Sequence, residues 1–200
     1  MKRRTMVEYA DASDAVRAVY DEGMATMGLS GVPNWMKAMG NNETVLKANW
    51  EKFRHVVLQG NVPPLLKQLI LFVISVREDN RYCTAAHGYA ALDLDKTLSC
   101  EDLYSLASGA ALQRLPKAFQ VAIDVVSRAA LKPAEVAGAD FDLERRLRDA
   151  GFSEHEIDEL LAQADFGVMM NAITSIWDIP PDREFPPPEA RRSTAPAPLN

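Results

Sequence analysis

The stretch "VPPLLKQLILFVISVRED", residues 62–79, constrains the fold more than any other part of the chain. Its centre is apolar without alternation, so periodicity alone allows a buried strand or a buried helix. Length decides between them. Two prolines open a run of ~14 residues free of turn signals, which is helical in length, and no second convincing strand exists to pair with it. A helix apolar on nearly every side belongs at the centre of a bundle. Only Lys67, Gln68 and Ser75 interrupt that surface, so each invites a reason. The reading is therefore an all-α chain built around one central helix.

The flanking segments agree. "DASDAVRAVYDEGMATMG" carries Ala15, Val16, Val19, Met24 and Met27 at mixed three- and four-residue spacing. Pro33 suits the first turn of a helix over "VPNWMKAM". "NNETVLKANWEKFRHVVLQG" reads as one helix with an Asn cap, an apolar face of Val45, Leu46, Trp50, Phe53 and Val57, and Gly60 as its stop. "SCED" (99–102) and "SEHE" (153–156) are capping boxes. The second precedes a stripe of Ile157, Leu160, Leu161, Ala164, Val168, Ala172, Ile173 and Ile176. Pro116 opens a helix bearing Phe119, Ile123 and Val126.

The expected organisation is an N-terminal extension over 1–10, one helical domain over 11–178, and a tail over 179–200. Seven of the twelve prolines fall in that tail, which is expected to be extended. It is read either as disordered or as an arm over a neighbouring subunit, with Phe185 as the anchor.

A formal charge of -6 argues against a nucleic-acid partner. No apolar run approaches the ~18 residues of a membrane span. Two cysteines, Cys83 and Cys100, are too few for a disulfide framework. The expectation is a cytoplasmic, reducing setting, with no membrane partner. No Cys/His/Asp/Glu grouping has zinc spacing and no glycine-rich phosphate loop is present, so neither metal nor cofactor is expected.

The candidate chemistry lies in "VREDNRYCTAAHGYAAL", residues 76–92. Cys83 and His87 stand at i and i+4 and share a helix face. Cys83 falls in the first turn, with Asp79 or Asn80 as cap. The helix dipole there is expected to favour the thiolate, and the imidazole is placed to take the thiol proton. The bland alternative is a buried cysteine serving as a small hydrophobe. His55 and His155 lie on charged surfaces and read as solvated. Ser75 reads as bonded to a carbonyl one turn back.

The segment "KQLILFVISVREDNRYCTAAHGYAAL" resembles the carboxymuconolactone decarboxylase superfamily, and within it the alkylhydroperoxidase D-like, peroxidase-related proteins. Their pattern has a glutamate on an apolar helix, a CxxC twelve residues on, and a histidine four after the second cysteine. The likeness extends loosely over 30–178, through "PNWMKAMGNNETVLKANWEKFRHVVLQGNVPPLLKQ" and "LRDAGFSEHEIDELLAQADFGVMMNAITSIWDIP". It implies an alkylhydroperoxidase D-like helical bundle that assembles as a dimer, trimer or hexamer.

By the resemblance, Cys83 matches the peroxidatic thiol and His87 the histidine of the proton relay. Asn80 stands in place of the resolving cysteine, and Gln68 in place of the relay glutamate. An intramolecular CxxC disulfide is therefore closed to this chain. A sulfenic acid at Cys83 needs another resolver. Cys100 lies beyond the following turn, which argues against it. Gln68 cannot take a proton but can orient His87. Glu78 is a candidate substitute carboxylate, against the plainer reading of a solvated turn charge. Tyr82 is expected at the pocket mouth or in simple packing.

Three functions follow: a single-cysteine peroxidase using an external thiol reductant, an acid–base decarboxylase or lyase with Arg77 and Arg81 as cations, or a non-catalytic scaffold or small-molecule binder.

Overall fold

A computed structural model describes residues 4–137, 141–186 and 188. Among them every regular element is helical. In chain order these are α1 (Asp14–Met27), α2 (Asn34–Met39), α3 (Glu43–Phe53), α4 (Pro64–Arg77), α5 (Arg81–Leu94), α6 (Cys100–Ala107), α7 (Lys117–Leu131), α8 (Pro133–Val136), α9 (Leu143–Asp149) and α10 (Glu154–Ile176).

The helix α4 occupies the middle, packed by α5, α6, α7 and α10. Its residues from Leu66 to Ser75 are all buried, as an all-round apolar helix requires. One core lies between α4, α6, α7 and the start of α10, with Phe72 set edge-on to Tyr104. A second gathers Tyr20, Trp35, Met36, Trp50 and Phe166 around Leu71, with Phe53 packed against it.

The three polar residues of α4 each have a partner. Lys67 Nζ pairs with the Glu159 carboxylate and donates to the carbonyls of Val56 and Gln59. Ser75 Oγ donates to Leu71 O at 2.7 Å, one turn back, as expected. Gln68 faces the site described below.

Two readings of the sequence need correction. The helix expected to run to Gly60 changes pitch at residue 54: Arg54–Leu58 is a π-helical turn. The lysine explains it. Lys67 draws the Val56 and Gln59 carbonyls inward, while Glu159 accepts from the backbone N–H groups of Asn61 and Val62. Gly60 sits at φ +98, where a Cβ would lie 2.2 Å from the Glu159 carboxylate. Such π turns gather at functional sites, and this one faces the cavity described below.

The stripe on α10 also differs in its second half. Ala172 and Ile176 are exposed, whereas Phe166, Met170, Asn171 and Thr174 are buried. Hydrogen bonds from α4 and α5 satisfy the two polar residues, so polarity and burial coexist there.

The N-terminal residues pack on the bundle. Tyr20 Oη donates to Val7 O at 3.1 Å, and the Arg4 guanidinium lies 4.8 Å from the Trp177 ring. The start of the tail also meets the bundle. Asn34 Nδ2 donates to Pro180 O at 3.1 Å, and Asn34 N to Asp182 Oδ1 at 2.7 Å. The Phe185 ring lies 5.2 Å from the Tyr89 ring. Of the tail beyond Pro186, only Pro188 lies within the described residues.

Candidate active site

The α4–α5 turn sets the site. Asp79 takes a left-handed backbone, φ 53, a conformation aspartate tolerates better than most residues. Asn80, not Asp79, is the cap: its Oδ1 accepts from Cys83 N at 2.7 Å. Its Nδ2 reaches the other way, to Asn171 O (2.8 Å), Thr174 Oγ1 (2.7 Å) and Ser175 Oγ (2.9 Å) on α10. One side chain thus starts the helix carrying Cys83 and fastens it to α10. Where the resemblance calls for a resolving thiol, this chain has a structural amide.

Cys83 is buried, 3% exposed, with Sγ 3.8 Å from Thr174 Oγ1. The expected thiolate is not what this environment favours. Burial pushes the thiol up to about 12; the Thr174 hydroxyl pulls the other way, and the Glu78 carboxylate adds to the rise. Removing the thiol from water outweighs the helix N-terminus.

His87 lies one turn on. Its Nδ1 is 2.8 Å from Gln68 Oε1. An amide oxygen only accepts, so Nδ1 carries the ring proton and Nε2 is left bare. Burial lowers the imidazole pKa to about 4, so the ring is neutral near neutral pH. Gln68 thus gives His87 a hydrogen-bond partner that is not an anion.

Both side chains open on one cavity of about 820 Å³. Gln68, Tyr82, Cys83 and His87 share its wall with Trp35, Phe53, Phe166, Met170, Glu184 and Phe185. Tyr82 is more than mouth packing. Its hydroxyl donates to Asp182 Oδ2 at 2.5 Å and accepts from Trp35 N at 3.4 Å. Burial raises both pKa values, with the Asp182 charge adding to the rise at Tyr82.

Glu78 does not join this wall. It is exposed, and its Oε2 accepts from Asn171 Nδ2 at 2.7 Å. Neither arginine lines the cavity. Arg77 donates to Ala107 O and Ser127 Oγ, tying α4 to α6 and α7, and Arg81 is exposed beside a smaller pocket of about 350 Å³. Cys100 is buried at the start of α6, where its Sγ donates to Pro188 O at 2.8 Å. Both cysteines are free. His55 and His155 are exposed, as expected. Among the described residues no three His, Cys, Asp or Glu side chains gather as a metal site, and no helix is long and apolar enough to cross a membrane.

Sequence reasoning missed Thr174, Met170, Phe166 and Asp182. A signal existed for the first three: they recur every four residues along α10, beside the stripe that drew attention. Asp182 had none, because its role depends on where a proline-rich segment folds.

No protein-family model and no curated protein matches the chain. Solved structures do. An uncharacterized peroxidase-related protein from Ralstonia eutropha JMP134, described as an alkylhydroperoxidase AhpD core, superposes with a TM-score of 0.77 at 22% identity, covering 92% of this chain and 94% of that one. An uncharacterized peroxidase-related protein from Silicibacter sp. TM1040 gives 0.74 at 24% identity, covering 92% and 93%. The debrominase Bmp8, as a cysteine-to-alanine variant in complex with 2,3,4-tribromopyrrole, gives 0.75 at 18% identity, covering 96% and 97%. These superpositions show that the chain has the all-α alkylhydroperoxidase D-like fold.

Proposed function

We propose that this chain is a single-cysteine, thiol-dependent peroxidase acting on a small organic hydroperoxide. The observation that carries the reading is that Cys83 and a tautomer-fixed His87 open on one cavity. At rest both groups are neutral. With substrate in place, His87 Nε2 takes the thiol proton, directly or through a water, as general base. The Cys83 sulfur attacks the outer peroxide oxygen, the O–O bond breaks, and the alkoxide leaves as the alcohol with the proton from His87. Cys83 is left as a sulfenic acid.

With Asn80 in the resolving position and Cys100 held at Pro188 O, an external thiol completes the cycle. It displaces water to give a mixed disulfide, and a second thiol molecule restores Cys83. This chemistry fits a reducing compartment. The neutral resting pair makes the enzyme slow with bare peroxide and dependent on a substrate that fills the cavity.

A second reading is thiol-dependent dehalogenation. It is favoured by the ring-sized apolar cavity and by the debrominase of the same fold described with a bromopyrrole. Its net balance also uses two thiols: the halogen leaves as hydrogen halide, a hydrogen replaces it on the ring, and the thiols become a disulfide. Acid–base turnover of a small organic acid is disfavoured, because Arg77 and Arg81 stand away from the cavity.

The test incubates the protein with cumene hydroperoxide and a monothiol such as glutathione, and with a bromopyrrole and the same thiol in parallel. The expected result is peroxide turnover abolished by Cys83→Ser. Formation of the sulfenic acid should keep one rate from about pH 5 to about pH 9, because the neutral thiol and the neutral imidazole are both the populated forms between about 4 and about 12. Halide release without peroxide loss would replace the first reading with the second. No turnover of either, with no sulfenic acid trapped at Cys83, leaves a non-catalytic binder.

A further inference from the structure

The cavity wall has a charge pattern that the proposed chemistry does not use. Among the described residues that line it there is no lysine or arginine. The two carboxylates on the wall are Asp93, paired with Lys96 on the surface, and Glu184. The remaining surface is built largely from Met27, Trp35, Phe53, Phe166, Met170 and Phe185. Two of the wall residues, Glu184 and Phe185, come from the proline-rich segment rather than from the helical bundle.

That segment is fastened at successive points. Pro180 O and Asp182 Oδ1 accept from Asn34 at the start of α2. Asp182 Oδ2 accepts from Tyr82, the residue before Cys83. Ser30 Oγ donates to Glu184 Oε1 at 2.6 Å. Phe185 meets Tyr89 of α5 at 5.2 Å with the rings tilted by 58°, a geometry typical of favourable ring pairs. The segment is a strap laid along the cavity, giving its lining one aromatic ring and one exposed carboxylate.

We infer that this strap determines specificity: Phe185 supplies an aromatic wall for an uncharged, ring-bearing substrate, and Glu184 disfavours substrates that carry a carboxylate. A carboxylate entering here loses water, gains no counter-ion, and meets a like charge at the rim. A neutral ring loses little and gains contact with the aromatic and methionine lining. The inference rests on the cavity being the reactive site proposed above, yet it is read by binding, without turnover.

The experiment titrates the full chain near neutral pH with 2-naphthol and with 2-naphthoate, which share a ring system and differ in charge. Naphthol should bind about tenfold more tightly than naphthoate. Glu184→Gln preserves the shape and the bond to Ser30, and should narrow that preference two- to threefold, a discount on account of its exposure. Phe185→Ala should weaken naphthol about tenfold with the helical circular dichroism unchanged. Equal binding of the two probes, binding of neither, or variants that leave the preference intact would overturn the inference. If the preference holds while the peroxide and bromopyrrole assays both fail, the strap's role stands and the catalytic reading falls.

Discussion

Gln68 and Asn80 show how much one side chain redirects. Glutamate and glutamine are nearly isosteric, yet the amide leaves His87 without a facing anion. Its bond at 2.8 Å fixes which ring nitrogen is bare, and burial then lowers the ring's pKa to about 4. Gln68→Glu supplies the missing charge. The His87 pKa should rise above about 4, because a carboxylate at hydrogen-bond distance favours imidazolium. Following the ring resonances against pH by NMR checks this, and an unmoved midpoint would mean that burial alone governs the ring. Asn80 is spent differently. A thiol there would forfeit both the cap on Cys83 N and the bonds to α10, so restoring a dithiol carries a structural cost absent from the sequence pattern.

At the scale of elements, the site depends on α5 being held against α10. Asn80 joins the two through Asn171, Thr174 and Ser175, and Ser75 Oγ adds a contact of 3.0 Å to Asn171 Oδ1. Asn80→Ala removes a cap, costing about 1 kcal/mol, and leaves buried groups unpaired at about 1 kcal/mol or more each. The expected loss is about 2–4 kcal/mol, read as a lower urea midpoint with an unchanged slope. A cost under about 0.5 kcal/mol would mean that water replaces the amide fully. The π turn belongs to the same scale. It exists because a buried lysine on α4 draws in the carbonyls of the segment before it, and the residues around that turn (Phe53, Val57 and Leu58) face the cavity.

For the whole molecule, burying a neutral imidazole links folding to pH. The folded state holds His87 at about 4, below the ~6.5 of an unfolded chain. The unfolded state therefore binds more protons between those values, and stability falls as pH drops from ~6.5 to about 4. Above that window His87 has no effect. The gap is worth at most about 3 kcal/mol. A thermal unfolding series over this range should show the decline, and His87→Gln should flatten it. A decline of equal size in that variant would assign the effect to the carboxylates, among which Glu156 and Asp102 are held below their usual range. The strap acts at this scale too, since it lines the cavity with residues about 100 positions from Cys83.

The sequence by itself determined the all-α fold, the central helix, the capping boxes, and the shared helix face of Cys83 and His87. These follow from local periodicity and from residues that act within a turn of themselves. It also determined that no CxxC cycle is available, since Asn80 offers no thiol. The protonation state of the thiol comes from packing, because desolvation depends on what surrounds Cys83 and not on its place in a helix. Only the tertiary structure turned Asn80 into a tie, gave Lys67 its carboxylate and carbonyls, exposed Ile176 while burying Thr174, and folded the strap onto the cavity. Each of these rests on partners distant in sequence, which no local pattern encodes.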